Sequence, residues 1–194
     1  MNQIREDFGD GEFIGALLEK YRPWSRVFVR QSIYGKLGRR LDESDVIQNA
    51  WLAVAENLDQ FRGKSEPEFF AWLKTILNNV MKNAIRDNMA ELRDIRVEND
   101  FAMDADTATL QWWEPVAVGS TPSGRLIEGE RAIQLANAME SLPDNQRIAI
   151  ELRHLNGMKL SEVGEEMGKT PDAVVSLIRR GMQTLKNWLK EVNS

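Results

Sequence analysis

The chain has 194 residues, 25 Lys+Arg against 30 Asp+Glu, a formal charge of −5, one histidine and no cysteine. That length holds one ordinary domain or two small ones. The absent cysteines exclude disulfides, thiolate metal sites and a cysteine nucleophile, and His154 alone provides too few histidines for a zinc site or a choice of Ser-His-Asp triads. The N-terminus, Met1-Asn2-Gln3-Ile4-Arg5-Glu6-Asp7, lacks the basic-then-apolar order of a secretion signal. Next, Phe13, Ile14, Leu17, Leu18 and Tyr21 form one apolar stripe at helical spacing. A second helix is expected after Asp42, with Val46, Ile47, Ala50, Val54 and Leu58 apolar. A third begins with Ser65-Glu66-Pro67-Glu68, an N-cap serine, an early proline and a glutamate placed for a capping box. Its buried face is expected to be Phe69, Trp72, Leu73, Ile76, Val80 and Ala84. Further helices are expected at about 126–141, 144–155, 160–167 and 171–191, with breaks at Pro143 and Gly157. No alternating β-branched run is long enough for a strand.

Charge is distributed unevenly. Residues 1–60 carry −2, 61–96 carry +2, 97–124 carry −5 and 125–194 are neutral. Residues 97–124 contain no basic side chain and hold Pro115, Gly119, Ser120, Thr121, Pro122, Ser123 and Gly124. A stretch of this length and composition reads as a flexible acidic linker rather than a loop. The expected fold is therefore all-α, with two small helical domains at 1–96 and 125–194. The longest apolar runs, such as Ile148-Ala149-Ile150, are far shorter than the ~20 residues that span a bilayer. A cytoplasmic protein is expected.

The window 160–180 carries the clearest chemistry. Leu160, Val163 and Met167 make the apolar side of a short helix, Gly164 leaves room for close approach, and Gly168 falls where a left-handed residue ends a helix. Thr170 caps the next helix and Pro171 opens it; Val174, Leu177 and Ile178 point inward. This is helix-turn-helix spacing, whose second helix can enter a major groove. Lys169, Thr170, Asp172, Ala173, Ser176, Arg179 and Arg180 are the outward candidates for DNA contact. Between 169 and 190 five basic residues face Asp172 as the sole acid, which suits phosphate contact. A plain helical hairpin with solvated arginines would share the spacing.

In the first domain, residues 61–86 hold five basic and two acidic side chains. The loop of Phe61, Arg62 and Lys64, followed by Lys74, Asn78, Asn79, Lys82, Asn83 and Arg86, combines cations, amides and aromatics as a surface for phosphates and exposed bases would. Trp72 and Phe69 lie on the apolar stripe and read as core; Phe61 is less readily explained as packing.

Three strings in the first domain, Arg40-Leu41-Asp42-Glu43-Ser44-Asp45-Val46-Ile47-Gln48, Leu58-Asp59-Gln60-Phe61-Arg62-Gly63 and Phe70-Ala71-Trp72-Leu73-Lys74-Thr75-Ile76, resemble region 2 of RNA polymerase sigma factors. Leu142-Pro143-Asp144-Asn145-Gln146-Arg147 and Leu160-Ser161-Glu162-Val163-Gly164 with the helix after them resemble region 4. With only these two regions, the chain is similar to extracytoplasmic-function (ECF, group 4) members of the sigma-70 family, and its wording is nearest the planctomycete-rich branch. The resemblance implies a promoter-specificity subunit of core RNA polymerase, without cofactor. Region 2 would bind the β′ clamp through Asp45, Gln48, Asn49 and Glu56, and hold the melted −10 element through Arg62, Lys64, Lys74, Asn78, Asn79 and Lys82, with Phe61 stacking on a base. Region 4 would contact the β-flap and read the −35 element with residues 170–180. The linker, with Trp112 and Trp113, would thread the RNA-exit path or serve as a solubilising tether. An anti-sigma factor, where one exists, would cover the apolar polymerase-binding surfaces. Asn49 and Trp51 depart from the acidic and smaller residues expected there, and Gly164 stands where alanine is commoner. No regulatory domain is expected after Ser194.

Nothing resembles a P-loop or a supported catalytic dyad, so no enzymatic activity is expected. The rival reading is a stand-alone helix-turn-helix repressor or activator, which would bind duplex DNA tightly without polymerase. An adaptor with no DNA contact is a third.

Overall fold

The first helix, α1 (Gly11–Ile33), continues well past the stripe that ends at Tyr21. Pro23 lies inside it, where the missing N–H and the ring cost about 3 kcal/mol. Beyond the proline, Trp24, Val27, Phe28, Val29 and Ile33 are all buried. At about 1.5–3 kcal/mol for each such side chain, burial outweighs the proline. The buried Ser25 hydroxyl donates to the Tyr21 carbonyl at 2.9 Å within the same stretch.

This computed structural model describes residues 11–33, 42–95 and 122–192, all helices and connections, with no strand among the described residues. The chain divides into two compact units, Met1–Gly129 and Glu130–Ser194. Trp112, Trp113 and the expected linker up to residue 121 lie outside the described residues, as do Arg40 and Leu41.

In the first unit, α2 (Glu43–Glu56) is capped by Asp42, whose Oδ1 accepts from the Ser44 N–H at 2.7 Å. Its first turn is tied to α1 by Glu43, 3.4 Å from Arg26 Nε and 3.2 Å from Arg30 Nη1. Val46, Ile47, Ala50 and Val54 are buried as the periodicity predicts. Leu58 is not on α2. The helix stops at Glu56, the Asn57 side-chain amide donates to the Ala53 carbonyl at 2.8 Å, and Leu58–Gln60 forms a 3-10 turn. Helix α3 (Glu66–Ile95) packs on α1 and α2. Its fully covered residues are Phe69, Leu73, Leu77 and Met81, with Phe70 beside them, whereas Trp72, Ile76, Val80 and Ala84 are only partly covered. The expected stripe is thus rotated, because α3 is apolar over a wide arc and its two partner helices decide which part is enclosed.

In the chain's later part, α4 (Pro122–Glu140) starts earlier than expected, with Pro122, Ser123 and Gly124 in its first turn. Proline at a first helical position loses no intrahelical bond. Ile133, Ala136, Met139 and Leu142 are buried in the second unit. Helix α5 (Asp144–Ile150) runs into a widened π turn, Glu151–Leu155, closed by the Asn156 N–H on the Glu151 carbonyl at 3.0 Å. The Glu151 carboxylate is buried there, 3.6 Å from Arg147 Nη1, while His154 is exposed. Helices α6 (Leu160–Met167) and α7 (Pro171–Val192) complete the unit. Gly181 lets α7 approach α5: a Cβ there would lie 2.6 Å from Ile150 Cδ1 and 3.3 Å from Gln146 Cβ.

Candidate nucleic-acid interface

The loop at 61–65 is fixed from several sides. Glu68 folds back from the first turn of α3 to accept from the Lys64 N–H at 2.6 Å and the Ser65 hydroxyl at 3.0 Å. These bonds, the Lys64 N–H first and the Ser65 hydroxyl next, hold the Glu68 carboxyl below its ordinary value. Glu66 accepts from the Tyr21 hydroxyl at 2.8 Å and pairs with Lys20, linking the same turn to α1. The Phe61 ring packs against Trp72 at 5.1 Å and edge-on to Phe69 at 5.8 Å between centroids. The Phe61 expected to stack on a base is thus half-buried and engaged by neighbouring rings, so a smaller part of it is left for a ligand. Its position also explains Gly63, where a Cβ would lie 2.3 Å from Phe61 Cζ and 2.9 Å from Glu68 Cβ.

We expect Gly63→Ala to force the Phe61 ring aside and cost about 1–3 kcal/mol as an overpacked site. Thermal unfolding of the variant measures that loss. A second change, Phe61→Leu, should return part of it, since the smaller side chain vacates the space the new methyl needs. An unchanged melting temperature for Gly63→Ala alone would mean the ring does not occupy that space.

Arg62 and Lys64 are exposed on the fixed loop, with Arg62 Nη1 donating to the Asp59 carbonyl at 2.6 Å. On α3, Asn79 and Lys82 are exposed and Lys74 and Asn78 half-buried. Asn78 Oδ1 is itself buried without a hydrogen-bond partner among the described residues.

On α2, Asp45, Gln48, Asn49 and Glu56 are all exposed at spacings that place them along one outer face. Leu52, which sequence reasoning passed over, stands among them with 58% of its surface exposed. Its signal was available: it is apolar but out of phase with Val46, Ala50 and Val54. Trp51 does not share that face, because its indole packs under Arg22, whose guanidinium carbon is 4.2 Å from the ring centroid.

In the second unit the helix-turn-helix is built as its spacing requires. Gly168 ends α6 with φ +61°, and the Lys169 N–H bonds the Gly164 carbonyl at 2.8 Å. The turn closes tightly enough that a Cβ on Gly164 would sit 2.7 Å from the Lys169 carbonyl oxygen. Thr170 Oγ1 accepts from the Ala173 N–H at 3.3 Å, and Val174 is fully buried, fixing the rotation of α7. Thr170, Asp172, Ser176, Arg179 and Arg180 are exposed, and Lys169 and Ala173 are half-buried. Leu177 and Ile178, expected to point inward, are partly covered. Val175, absent from the expected set, is 45% exposed on this helix. Farther along, Leu135, Met182, Leu185 and Leu189 line a groove of about 620 Å³ rimmed by Arg179, Lys186 and Lys190.

Residues 17–91 match the family model "Sigma-70 region 2", and residues 132–185 match "Sigma-70, region 4". The chain belongs to the sigma-70 family of RNA polymerase sigma factors. It is an ECF sigma factor that directs transcription initiation at promoters. It is 24% identical over 188 residues to the ECF RNA polymerase sigma factor SigW of Bacillus subtilis, covering 95% of this chain and 92% of that protein. To the ECF sigma-E factor of Haemophilus influenzae it is 25% identical over 185 residues, 94% of this chain and 90% of the relative. To that of Escherichia coli K12 it is 29% identical over 151 residues, 75% and 73% of the two chains. Among solved structures, one titled as CnrH in complex with the cytosolic domain of CnrY aligns at a TM-score of 0.35 and 21% identity, over 97% of this sigma factor and 95% of that chain. In this sigma factor the fixed loop, the α2 face and α3 fall in region 2, and the helix-turn-helix falls in region 4. No helix among the described residues is long and apolar enough to cross a membrane, and no group of His, Cys, Asp or Glu among them could hold a metal ion.

Proposed function

We propose that this sigma factor divides its work among three surfaces. The α2 face of Asp45, Gln48, Asn49 and Glu56 binds the β′ clamp of core polymerase. The loop and α3 surface of Arg62, Lys64, Lys74, Asn78, Asn79 and Lys82 holds the melted −10 element, with the accessible edge of Phe61 beside it. The α7 surface of Lys169, Thr170, Asp172, Ala173, Ser176, Arg179 and Arg180 reads the −35 element. The observation that carries this division is the pre-fixed 61–65 loop, which presents Arg62 and Lys64 outward while its backbone is bound by Glu68. A loop already ordered loses little further entropy when a single strand lies on it.

The working boundaries are 1–96 for region 2 and 125–194 for region 4, with an acidic tether between them. The groove formed by Leu135, Met182, Leu185 and Leu189 suits an apolar segment of the β-flap. The string at 42–48 supports the planctomycete-like branch, and the protein acts in the cytoplasm without catalysis of its own. An anti-sigma factor would compete for the α2 face or the groove.

Transcription in vitro tests the proposal. Purified chain added to core polymerase should yield a promoter-dependent transcript that core enzyme alone does not make. Binding of the same duplex equally tightly without polymerase would support the stand-alone regulator instead.

A further inference from the structure

Four large apolar side chains are strongly exposed among the described residues: Leu52, Val175, Met182 and Val192. Leu52 belongs to the α2 face, Met182 lines the groove, and Val192 lies at the end of α7. Val175 has no such place. It sits one turn into α7, three residues after Asp172 and four before Arg179, beside Ser176, all of them exposed. The fully buried Val174 next to it locks the helix's rotation, so Val175 is held outward within the surface assigned to DNA. A valine on a helix has essentially one χ1 rotamer, so its methyls stand in a fixed place. Thymine alone among the bases presents a methyl group, at C5, to the major groove.

We propose that Val175 reads a thymine of the −35 element through its methyl group. The inference rests on α7 reading that element. In this arrangement Asp172 and Ser176 face the neighbouring polar base edges, and Arg179 faces guanine or phosphate. Specificity at the Val175 position is thus steric and apolar, and it survives added salt better than the phosphate contacts do.

The test uses holoenzyme assembled from core polymerase and the full chain. Wild-type holoenzyme first selects promoter duplexes from a library randomised across the −35 element, its −10 element held constant. Each thymine of the selected −35 element is then replaced by deoxyuridine, which removes only the methyl. Wild type should lose about fourfold in affinity at one thymine, the equivalent of one buried methyl group. Val175→Ala should bind the unmodified duplex about fourfold more weakly and be indifferent to deoxyuridine at that position. Because Val175 is exposed, the variant should melt with wild type, and the deoxyuridine scan of wild type needs no variant at all. Wild-type indifference at every thymine, or equal deoxyuridine sensitivity in Val175→Ala, overturns the contact. A scrambled −35 element tells the two failures apart: if scrambling weakens binding while the methyls have no effect, only the Val175 role falls. If scrambling changes nothing, α7 loses its role and the proposal falls with it.

Discussion

Replacing Arg179 and Arg180 together with glutamate should remove −35-dependent initiation while leaving the protein folded. Both side chains are exposed on α7, and Asp172 is the only acid between residues 169 and 190. The exchange therefore turns a cationic stripe into a mixed one on the face proposed to meet phosphate. Losing two charge-assisted contacts and adding repulsion should weaken promoter binding by the holoenzyme on the order of 10²-fold at moderate salt. The slope of log affinity against log salt should fall by about 2, one for each phosphate no longer neutralised. Stability should change by no more than about 0.5 kcal/mol, since neither residue is enclosed. Among the described residues, the internal side-chain bond lost is that from Arg180 Nε to the Ser176 carbonyl, a 3.2 Å contact on the helix surface. Binding and salt slope measured on promoters with and without the −35 element decide the matter. A double variant with the wild-type slope would leave α7 without its assigned partner.

The second large effect is expected at Leu52. Its exposed side chain is flanked by Asp45, Gln48, Asn49 and Glu56, an apolar centre within a polar rim. That is the arrangement in which a single side chain carries much of an interface's affinity. Leu52→Glu should weaken association with core polymerase at least about 30-fold, corresponding to the ~2 kcal/mol of a hot-spot residue. The isolated protein should keep its melting temperature, because the change replaces an exposed apolar group by a charged one. Competition with unmodified chain for limiting core enzyme gives the number. Equal competition would move the clamp contact off this face of α2.

Legibility followed how local each determinant was. Gly168 and Thr170 end and open their helices as their spacing indicates, and Asp42 caps α2, all decided within a few residues. Ser65, expected to accept from a first-turn N–H, instead gives its hydroxyl to the Glu68 carboxylate, which is also bound by the Lys64 N–H. The core of α3 is decided by two other helices. Apolar residues cover so much of its circumference that period alone could not choose Leu77 and Met81 over Ile76 and Val80. Pro23 shows the same limit from the other side, for the burial that carries α1 past it depends on partners distant in sequence. The exposed cations of the candidate site were legible because charge rarely goes inside unpaired. Leu52 and Val175 were harder to find, since an apolar letter on a helix suggests core until the structure shows it facing out. The partial packing of Phe61 is hidden from the sequence for a related reason: its companions Phe69 and Trp72 lie eight and eleven residues on, and only folding brings the rings together.

The way the 61–65 loop is secured bears on how such a protein changes its target. The groups that hold the loop are Glu66, Glu68, Phe69 and Trp72 on α3 and Lys20 and Tyr21 on α1, and none of them belongs to the loop. The outward residues, Arg62 and Lys64, contribute to that frame a backbone N–H, a single guanidinium contact and, last among the influences on Glu68, the charge of Lys64. Their side chains can therefore be exchanged over evolutionary time while the frame stays intact. On the role proposed for this loop, a duplicated gene could acquire a new promoter preference by one or two substitutions, without first passing through an unstable protein.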